Sequence, residues 1–156
     1  MRLFSKMKDI YSPTKGSLIA IQDVNDESFS NELIGTGIAI VPESDLFYAP
    51  IDGVVAVITP TKHAIAIQAE DGVQVLIHVG IDSYDKCLDC FKLKVTAGQA
   101  VKKGELIAEI DIDKLKASGI DVTTPIIILN KDKCKYIVMS KNAVVHKGDW
   151  IIRYKT

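Results

Sequence analysis

The sequence TKHAIAI, residues 61–67, followed after a short break by VQVLIHVGID, residues 73–82, decides the fold. Both runs are rich in β-branched and aliphatic residues, which favour strands. Asp71-Gly72, between them, is the preferred central pair of a two-residue type I′ turn. We therefore predict a β-hairpin, and it carries two of the three histidines of the chain.

The register set by that turn places Ile65 opposite His78 and His63 opposite Gly80. Directly opposed residues share one face of a sheet, so His63 and His78 are diagonal neighbours with Cβ atoms roughly 7–8 Å apart or somewhat less. The small Gly80 leaves room beside His63 for an incoming group. The remaining residues predicted on this face are Thr61, Ile67, Leu76 and Asp82.

Two converging imidazoles suit three kinds of site: half of a metal centre, an acid/base pair, or a nucleophile assisted by a hydrogen-bond donor. A zinc site made by one protein normally needs at least three ligands, and the only further candidate on this face is Asp82. Imidazole attacks phosphorus readily and is a good leaving group, so a histidine nucleophile suits reversible phosphoryl transfer. The second imidazole can then donate to the phosphoryl oxygens.

The two histidine segments resemble the active-site motifs of the glucose-type IIA proteins of the bacterial sugar phosphotransferase system. Three further segments extend this resemblance over most of residues 10 to 155: Gly35-Thr36-Gly37-Ile38-Ala39-Ile40, Ala49-Pro50-Ile51-Asp52-Gly53 and Thr124-Pro125-Ile126-Ile127-Ile128-Leu129-Asn130. The histidine motifs in their mutual order are specific, whereas the glycine and proline turns alone are not.

The resemblance implies a role for each residue of the site. His78 would be the nucleophile, phosphorylated on Nε2, and His63 the donor that steadies the phosphoryl group. Thr61 would orient the ring of His63 by its hydroxyl, and the carbonyl of Gly80 would accept the Nδ1–H of His78 and fix its tautomer.

The resemblance also implies a surface that meets other proteins. Asp82 and Asp26 match acids that face a basic patch on the phosphoryl donor. A phosphoryl group adds roughly −1.5 to −2 charge, so an apolar rim around His78 would bind partners differently in its two states. A regulatory protein-binding module is therefore the alternative function. The candidates for this rim are Phe29, Leu33, Ile34, Ile65, Leu76 and Tyr84.

Residues 86–91, KCLDCF, depart from the Leu-x-Gly-x-Gly-Phe pattern that the family has after the second histidine. Loss of both glycines affects any contact that needs a close backbone approach. The same change creates a Cys87-x-x-Cys90 pair, which suits redox chemistry or half of a metal site. No second pair completes a four-cysteine site, and Cys134 stands alone, so we interpret all three as free thiols in a reducing compartment.

The composition indicates one soluble domain spanning residues 1–156, with residues 1–10 a frayed N-terminal arm. A formal net charge of −1 gives no argument for nucleic acid as a partner. No run of 18 apolar residues and no secretory signal is present, so we expect a cytoplasmic protein that meets the membrane only through a transporter.

Short β-type runs separated by glycine and proline turns predict an all-β fold, an antiparallel sandwich or barrel with one or two very short helices. Two internal echoes suggest a duplicated hybrid motif. Residues 12–16 resemble residues 49–53, and residues 97–107 resemble residues 141–151. The second echo is also similar to biotinyl and lipoyl carrier domains, but the chain lacks their acceptor-lysine turn, and it lacks the His-x-His pair that a zinc peptidase of related fold would need.

We therefore expect a phosphotransferase component that forms a phosphohistidine. It would accept its phosphoryl group from an HPr-like phosphocarrier protein and donate it to a cysteine of a IIB domain, in partnership with the IIB and IIC domains of a sugar transporter. We expect no cofactor; zinc at His63 and His78 would require a ligand supplied by a partner.

Overall fold

The computed structural model describes residues 6–156 and is built almost entirely from antiparallel strands. The fourteen strands are β1 (Lys8–Tyr11), β2 (Gly16–Ala20), β3 (Thr36–Pro42), β4 (Leu46–Tyr48), β5 (Gly53–Ile58), β6 (Ala64–Gln68), β7 (Gln74–His78), β8 (Phe91–Leu93), β9 (Ala100–Val101), β10 (Leu106–Ile110), β11 (Thr124–Ile128), β12 (Tyr136–Met139), β13 (Val144–Val145) and β14 (Trp150–Lys155). Two short helices complete the fold, α1 (Glu27–Ser30) and α2 (Ile112–Ala117). The predicted all-β class with one or two very short helices is confirmed.

The strands form one large sheet and two small ones. The large sheet has the order β13-β2-β3-β11-β7-β6-β5-β9, and the small sheets are β4-β10-β8 and β1-β14-β12. One buried cluster joins residues of all three sheets, for example Phe47 of β4, Ile77 of β7 and Ile152 of β14. Neither helix in the described part of the chain is long and apolar enough to cross a bilayer.

A second, smaller cluster lies apart from this core and places the site. It contains Phe29 of α1, Ala39 of β3 and Ile127 of β11, with Leu76 of β7 packed against it. The side chains of a strand alternate between the two faces of its sheet. The central strands therefore bury residues in both clusters, and His78 lies on the same side of β7 as Leu76.

The prediction of a frayed arm over residues 1–10 is wrong for its second half. Residues 1–5 lie outside the described residues, but Lys8–Tyr11 form β1, an edge strand paired with β14. Ile10 is fully buried in the main core, and Asp9 accepts two hydrogen bonds from the Arg153 guanidinium. A buried apolar side chain and an ion pair therefore hold this edge strand in place.

The predicted hairpin is present, but its register is wrong by one residue. Ala64, not Ile65, lies opposite His78, and Ala66 lies opposite Leu76. The turn has three residues rather than two, because Ala69 pairs with Val73 and Gly72 takes a positive φ of 88°. A three-residue loop with glycine in the left-handed position closes a hairpin one residue out of step with a two-residue turn.

The internal echoes correspond to a structural duplication. Val145 of β13 pairs with Gly16 of β2, and Val101 of β9 pairs with Gly53 of β5. The short strands β13 and β9 therefore each pair with the strand that begins at the corresponding glycine. Because the two echoes occupy equivalent pairings at opposite edges of the large sheet, the duplicated hybrid motif suggested by the sequence describes the fold.

Candidate active site

His63 and His78 meet at the end of the β6–β7 hairpin that lies away from its turn. His78 is the last residue of β7, and His63 directly precedes β6. The two ring centroids are 4.8 Å apart, and the ring planes meet at 82°. The predicted convergence of the two imidazoles is therefore observed.

The reason for the convergence differs from the one the register predicted. In a regular hairpin of the observed register, His63 would point away from His78. However, β6 begins only at Ala64, and Lys62 has a positive φ of 67°. The alternation of side chains along a strand therefore does not determine the direction of the His63 side chain. The amide of Val79 donates to the carbonyl of His63 at 2.8 Å and holds the two chains together there.

The ring of His78 is held through one nitrogen. Its Nδ1 lies 2.9 Å from the carbonyl oxygen of Gly80, and because a carbonyl can only accept, the Nδ1 carries the proton. The ring of Phe29 packs edge-on against His78 with centroids 5.0 Å apart. The Nε2 of a neutral His78 in this tautomer has a free lone pair and is the nucleophilic atom.

Gly80 is required by the backbone and not, as predicted, by the space it leaves opposite His63. It has a φ of 81°, where other residues are strained. An added Cβ would also lie 3.0 Å from the Cβ of Ser83, whose hydroxyl donates to the carbonyl of Val79. This tight turn aims the Gly80 carbonyl back at His78.

His63 is held by two threonine hydroxyls. The Oγ1 of Thr61 lies 2.6 Å from the Nδ1 of His63, and the Oγ1 of Thr59 lies 3.3 Å from the same nitrogen. Thr61 was predicted here, whereas sequence reasoning missed Thr59. The alternation Thr59-x-Thr61-x-His63 was the available signal, because it spaces three polar residues at the period of a strand.

Burial keeps both imidazoles neutral near neutral pH. The pKa of His63 falls from 6.5 to about 4, first because the side chain is buried and second because His78 repels a positive charge. Burial also lowers the pKa of His78, while the Gly80 carbonyl and the carboxylates of Asp26 and Asp82 oppose that shift. The site thus pairs a neutral nucleophilic nitrogen with a second neutral ring, an arrangement that suits nucleophilic chemistry on an anionic group.

Asp26 and Asp82 both lie close enough to His78 to affect its charge, as their predicted position beside the site requires. Asp26 is the N-cap of α1, where its carboxylate accepts from the amide of Ser28 at 2.8 Å. Asp82 is exposed and takes a positive φ of 52°. Two carboxylates therefore stand at the mouth of the site.

The predicted apolar rim divides into exposed and buried residues. Leu33 is 74% exposed, Tyr84 55% and Ile34 37%, and Leu76 is partly buried. The prediction is wrong for Phe29 and Ile65, which are 3% and 5% exposed. Phe29 lies beneath His78, and Ile65 faces the main core because the true register turns its side chain to the other face of the sheet.

The interpretation of three free thiols is wrong for two of them. Cys87 and Cys90 form a disulfide, and Cys134 is the free cysteine. Ligand atoms of Cys87, Asp89 and Cys90 make the one cluster within residues 6–156 that brings three potential metal ligands together, but here its sulfurs are bonded to each other. Leu88–Cys90 form a 3-10 turn at negative φ, so this loop does not need the glycines it has lost.

Comparison with known proteins places these features in a family. The family model for the phosphoenolpyruvate-dependent sugar phosphotransferase system, EIIA 1, matches residues 8–134. The structure superposes on glucose permease IIA from Mycoplasma capricolum with a TM-score of 0.91 and 32% sequence identity, covering 98% of this chain and 99% of that one.

Curated relatives agree with both matches. The glucose-specific EIIA component of Haemophilus influenzae is 35% identical over 137 residues, which are 88% of this chain and 82% of that protein. The beta-glucoside-specific EIIBCA component of Halalkalibacterium halodurans is 35% identical over 145 residues, or 93% of this chain, and the glucosamine-specific EIICBA component of Bacillus subtilis is 40% identical over 129 residues, or 81%. The chain spans 23% and 20% of the lengths of these two longer relatives. By the family model, the solved fold and these relatives, the chain belongs to the EIIA 1 family of the phosphoenolpyruvate-dependent sugar phosphotransferase system.

Proposed function

We propose that this chain carries phosphoryl groups on the Nε2 of His78. A phosphohistidine on an HPr-like carrier protein is the donor, and a cysteine of a IIB domain is the acceptor. The observation that carries the proposal is the hydrogen bond from the Nδ1 of His78 to the Gly80 carbonyl, which leaves the lone pair on Nε2. The family and its sugar phosphotransferase relatives support the same reaction class.

In the first half-reaction the Nε2 of His78 attacks phosphorus, and the bond between phosphorus and the donor's imidazole breaks. One P–N bond replaces another, and no net proton is exchanged, because the donor's ring, protonated on its other nitrogen, leaves as neutral imidazole while the His78 ring keeps its proton on Nδ1. The positive charge that develops on the His78 ring is stabilised by the Gly80 carbonyl at Nδ1 and by the carboxylates of Asp26 and Asp82. In the second half-reaction a cysteine thiolate attacks phosphorus, and His78 leaves as neutral imidazole.

His63 supports the phosphoryl group as a neutral donor. Because its pKa lies near 4, it stays uncharged at neutral pH and can donate only through a ring N–H. With the Thr61 hydroxyl donating to Nδ1, the proton of His63 resides on Nε2. An N–H donor preorganised in a buried position stabilises charge on the phosphoryl oxygens as the P–N bond breaks.

The exposed rim and the two acids provide the docking surface. Leu33, Ile34 and Tyr84 offer apolar contact, while Asp26 and Asp82 favour a basic patch on the carrier. Burial of this rim under a partner would exclude water and protect the phosphohistidine from hydrolysis. Phosphorylation adds roughly −1.5 to −2 charge at its centre, so regulation of other proteins by the same face is the second candidate function.

Partners and location follow from this reaction. Two relatives carry their EIIA region within longer EIIBCA and EIICBA components, and we propose IIB and IIC domains as the partners here. We propose the cytoplasm as the location, because the phosphoryl supply of this system begins with phosphoenolpyruvate. Zinc between His63 and His78 would still need ligands from a partner, because two imidazoles do not complete a tetrahedral site.

The experiment is incubation with a phosphorylated histidine carrier, followed by mapping of acid-labile, base-stable phosphate to a peptide. We expect label on the peptide that contains His78 and none in the His78→Ala variant. The exposed His146 provides the matched control, since the His146→Ala variant should label fully. Absence of label from the wild type, or full label in His78→Ala, would overturn the proposal.

A further inference from the structure

The loop between His78 and β8 is held by few hydrogen bonds of its own. It begins where the amide of Ile81 donates to the carbonyl of Asp121 at 2.8 Å and ends at Phe91, the first residue of β8. From 82 to 89, all of them described residues, one backbone amide donates to a backbone carbonyl, that of Lys86 to Ser83 at 3.4 Å. A segment with so few backbone bonds opens locally at low free energy unless something else ties it down.

The Cys87–Cys90 disulfide lies at the end of this loop that is farther along the chain from His78. Cys90 is 1% exposed and Cys87 8% exposed, and both pack into the main core. The carbonyl of Cys90 accepts from the amide of Asp111 at 2.9 Å, and Asp89 between the cysteines forms an ion pair with Lys114 at 2.6 Å. The disulfide therefore joins Cys87 to Cys90, the residue whose carbonyl is bonded to the start of α2.

The same loop carries part of the site. Asp82 contributes to the field at His78, and Tyr84 is an exposed rim residue. Asp82 is held by the bonds of Ile81 and Ser83 on either side, but Tyr84 lies between Ser83 and the disulfide, so the mobility of that stretch determines how well Tyr84 is positioned for a partner. A preorganised docking surface binds faster and more tightly than one that must be ordered on contact.

We propose that Cys87 and Cys90 form a reversible dithiol–disulfide site, a substrate for thiol–disulfide exchange with thioredoxin-class proteins, and that its oxidised form orders the docking loop beside His78. In oxidation the two thiols give up two protons and two electrons to the partner's disulfide, which becomes two thiols. In reduction a partner thiolate attacks the Sγ of Cys87, the more exposed of the two residues, and Cys90 leaves as the thiolate. A second partner thiol then resolves the mixed disulfide.

The effect on phosphoryl transfer rests on the proposed function of His78, but the redox chemistry does not. On reduction we expect amide exchange across residues 82–90 to speed up by about tenfold or more, with no change in β6 and β7. We expect acceptance of phosphate from the carrier to slow by about threefold to tenfold, because Tyr84 loses its fixed position.

The test begins with equilibration of the full chain in glutathione buffers of graded ratio, with acid quenching, alkylation and peptide mass mapping. Cys87 and Cys90 should convert together and reversibly, while Cys134 alkylates at every ratio. Hydrogen exchange and phosphate acceptance are then measured on the fully oxidised and reduced forms. The Cys87→Ser/Cys90→Ser variant should match the reduced form under all conditions, and Cys134→Ser should keep the full response.

Each outcome is decisive. Two free thiols at every ratio, or a disulfide at every ratio, would overturn the redox site, and equal exchange at residues 82–90 in both forms would overturn its ordering of the loop. Equal acceptance rates in the two forms, with different amide exchange, would overturn its effect on docking. If neither form accepts phosphate, the proposed function of His78 fails, and the titration still decides whether the redox site exists.

Discussion

The Nδ1 atoms of His63 and His78 are held in opposite ways, although the two rings lie 4.8 Å apart. In His78 this nitrogen donates to the Gly80 carbonyl, and in His63 it lies 2.6 Å from the Thr61 hydroxyl, which can donate to it. The first arrangement leaves Nε2 as a base, and the second leaves Nε2 as an N–H donor when the hydroxyl donates, as we propose. Two chemically identical side chains are thereby assigned different roles by their partners.

Replacement of His63 by Gln should separate the two half-reactions. The Nε2 of His78 is intact, so the variant should accept phosphate at close to the wild-type rate. Donation to the IIB domain should slow by about 10²-fold or more, because the oriented donor for the phosphoryl oxygens is lost. Rapid-quench measurement of each half-reaction checks this, and an equal loss in both would show that His63 is structural.

Replacement of Thr61 by Val should weaken donation through the tautomer of His63. Without the hydroxyl at 2.6 Å, Nδ1 can hold the proton and Nε2 no longer donates. We expect donation to slow by about tenfold, which corresponds to about 1.4 kcal/mol. Thr59→Val is the matched control: its hydroxyl is farther away at 3.3 Å, so its effect on donation should be smaller. The tautomer is read from the ¹⁵N shifts of His63, and an unchanged Nε2–H in Thr61→Val would contradict the assignment.

Replacement of Gly80 by Ala should cost both stability and activity. The residue has a φ of 81°, and the new Cβ would press on Ser83, so we expect a loss of about 1–3 kcal/mol in the free energy of unfolding. Displacement of the Gly80 carbonyl should also slow acceptance of phosphate. Gly98→Ala is the control, because Gly98 has a φ of 90° with no atoms close to the added Cβ. It should lose stability from backbone strain alone and accept phosphate normally; equal acceptance rates in the two variants would contradict the role of the carbonyl.

Stability should rise with pH between about 4 and 6.5. His63 binds a proton in the unfolded chain near its ordinary pKa of 6.5 but in the folded protein only near 4. Between these values the unfolded state holds more protons, so acid favours unfolding. The contribution of His63 is on the order of 2–3 kcal/mol, lost as the pH falls through this window. Denaturant titrations of wild type and His63→Gln at several pH values test this, and an equal slope in both would contradict it.

Much of the fold could be predicted from the sequence because strand propensity and turn residues agree along most of the chain. The strands with little signal in the sequence are short or lie at an edge. Leu46–Tyr48 and Phe91–Leu93 have only three residues each, too few to show an alternating pattern. Lys8–Tyr11 has the polar composition of a frayed terminus, and it is held in place by residues far away in the sequence.

The site was predicted more accurately than the register that was meant to explain it. Asp71-Gly72 supports a two-residue or a three-residue turn equally well, and local sequence does not distinguish them. The error turned Ile65 toward the wrong face, whereas the predicted convergence of His63 with His78 was still observed because His63 lies outside the strand. The second hydroxyl at Thr59 and the disulfide depend on tertiary placement, which no local pattern records.

The most direct test of phosphorylation on the Nε2 of His78 is long-range ¹H–¹⁵N correlation spectroscopy of ¹⁵N-histidine-labelled protein before and after phosphorylation by the carrier. We predict that the Nε2 of His78 alone acquires the shift of a phosphorylated nitrogen, while its Nδ1 stays protonated against Gly80. His63 should remain neutral with its proton on Nε2. Phosphate on the Nδ1 of His78, or on either nitrogen of His63, would contradict the assignment of the Nε2 of His78 as the nucleophile.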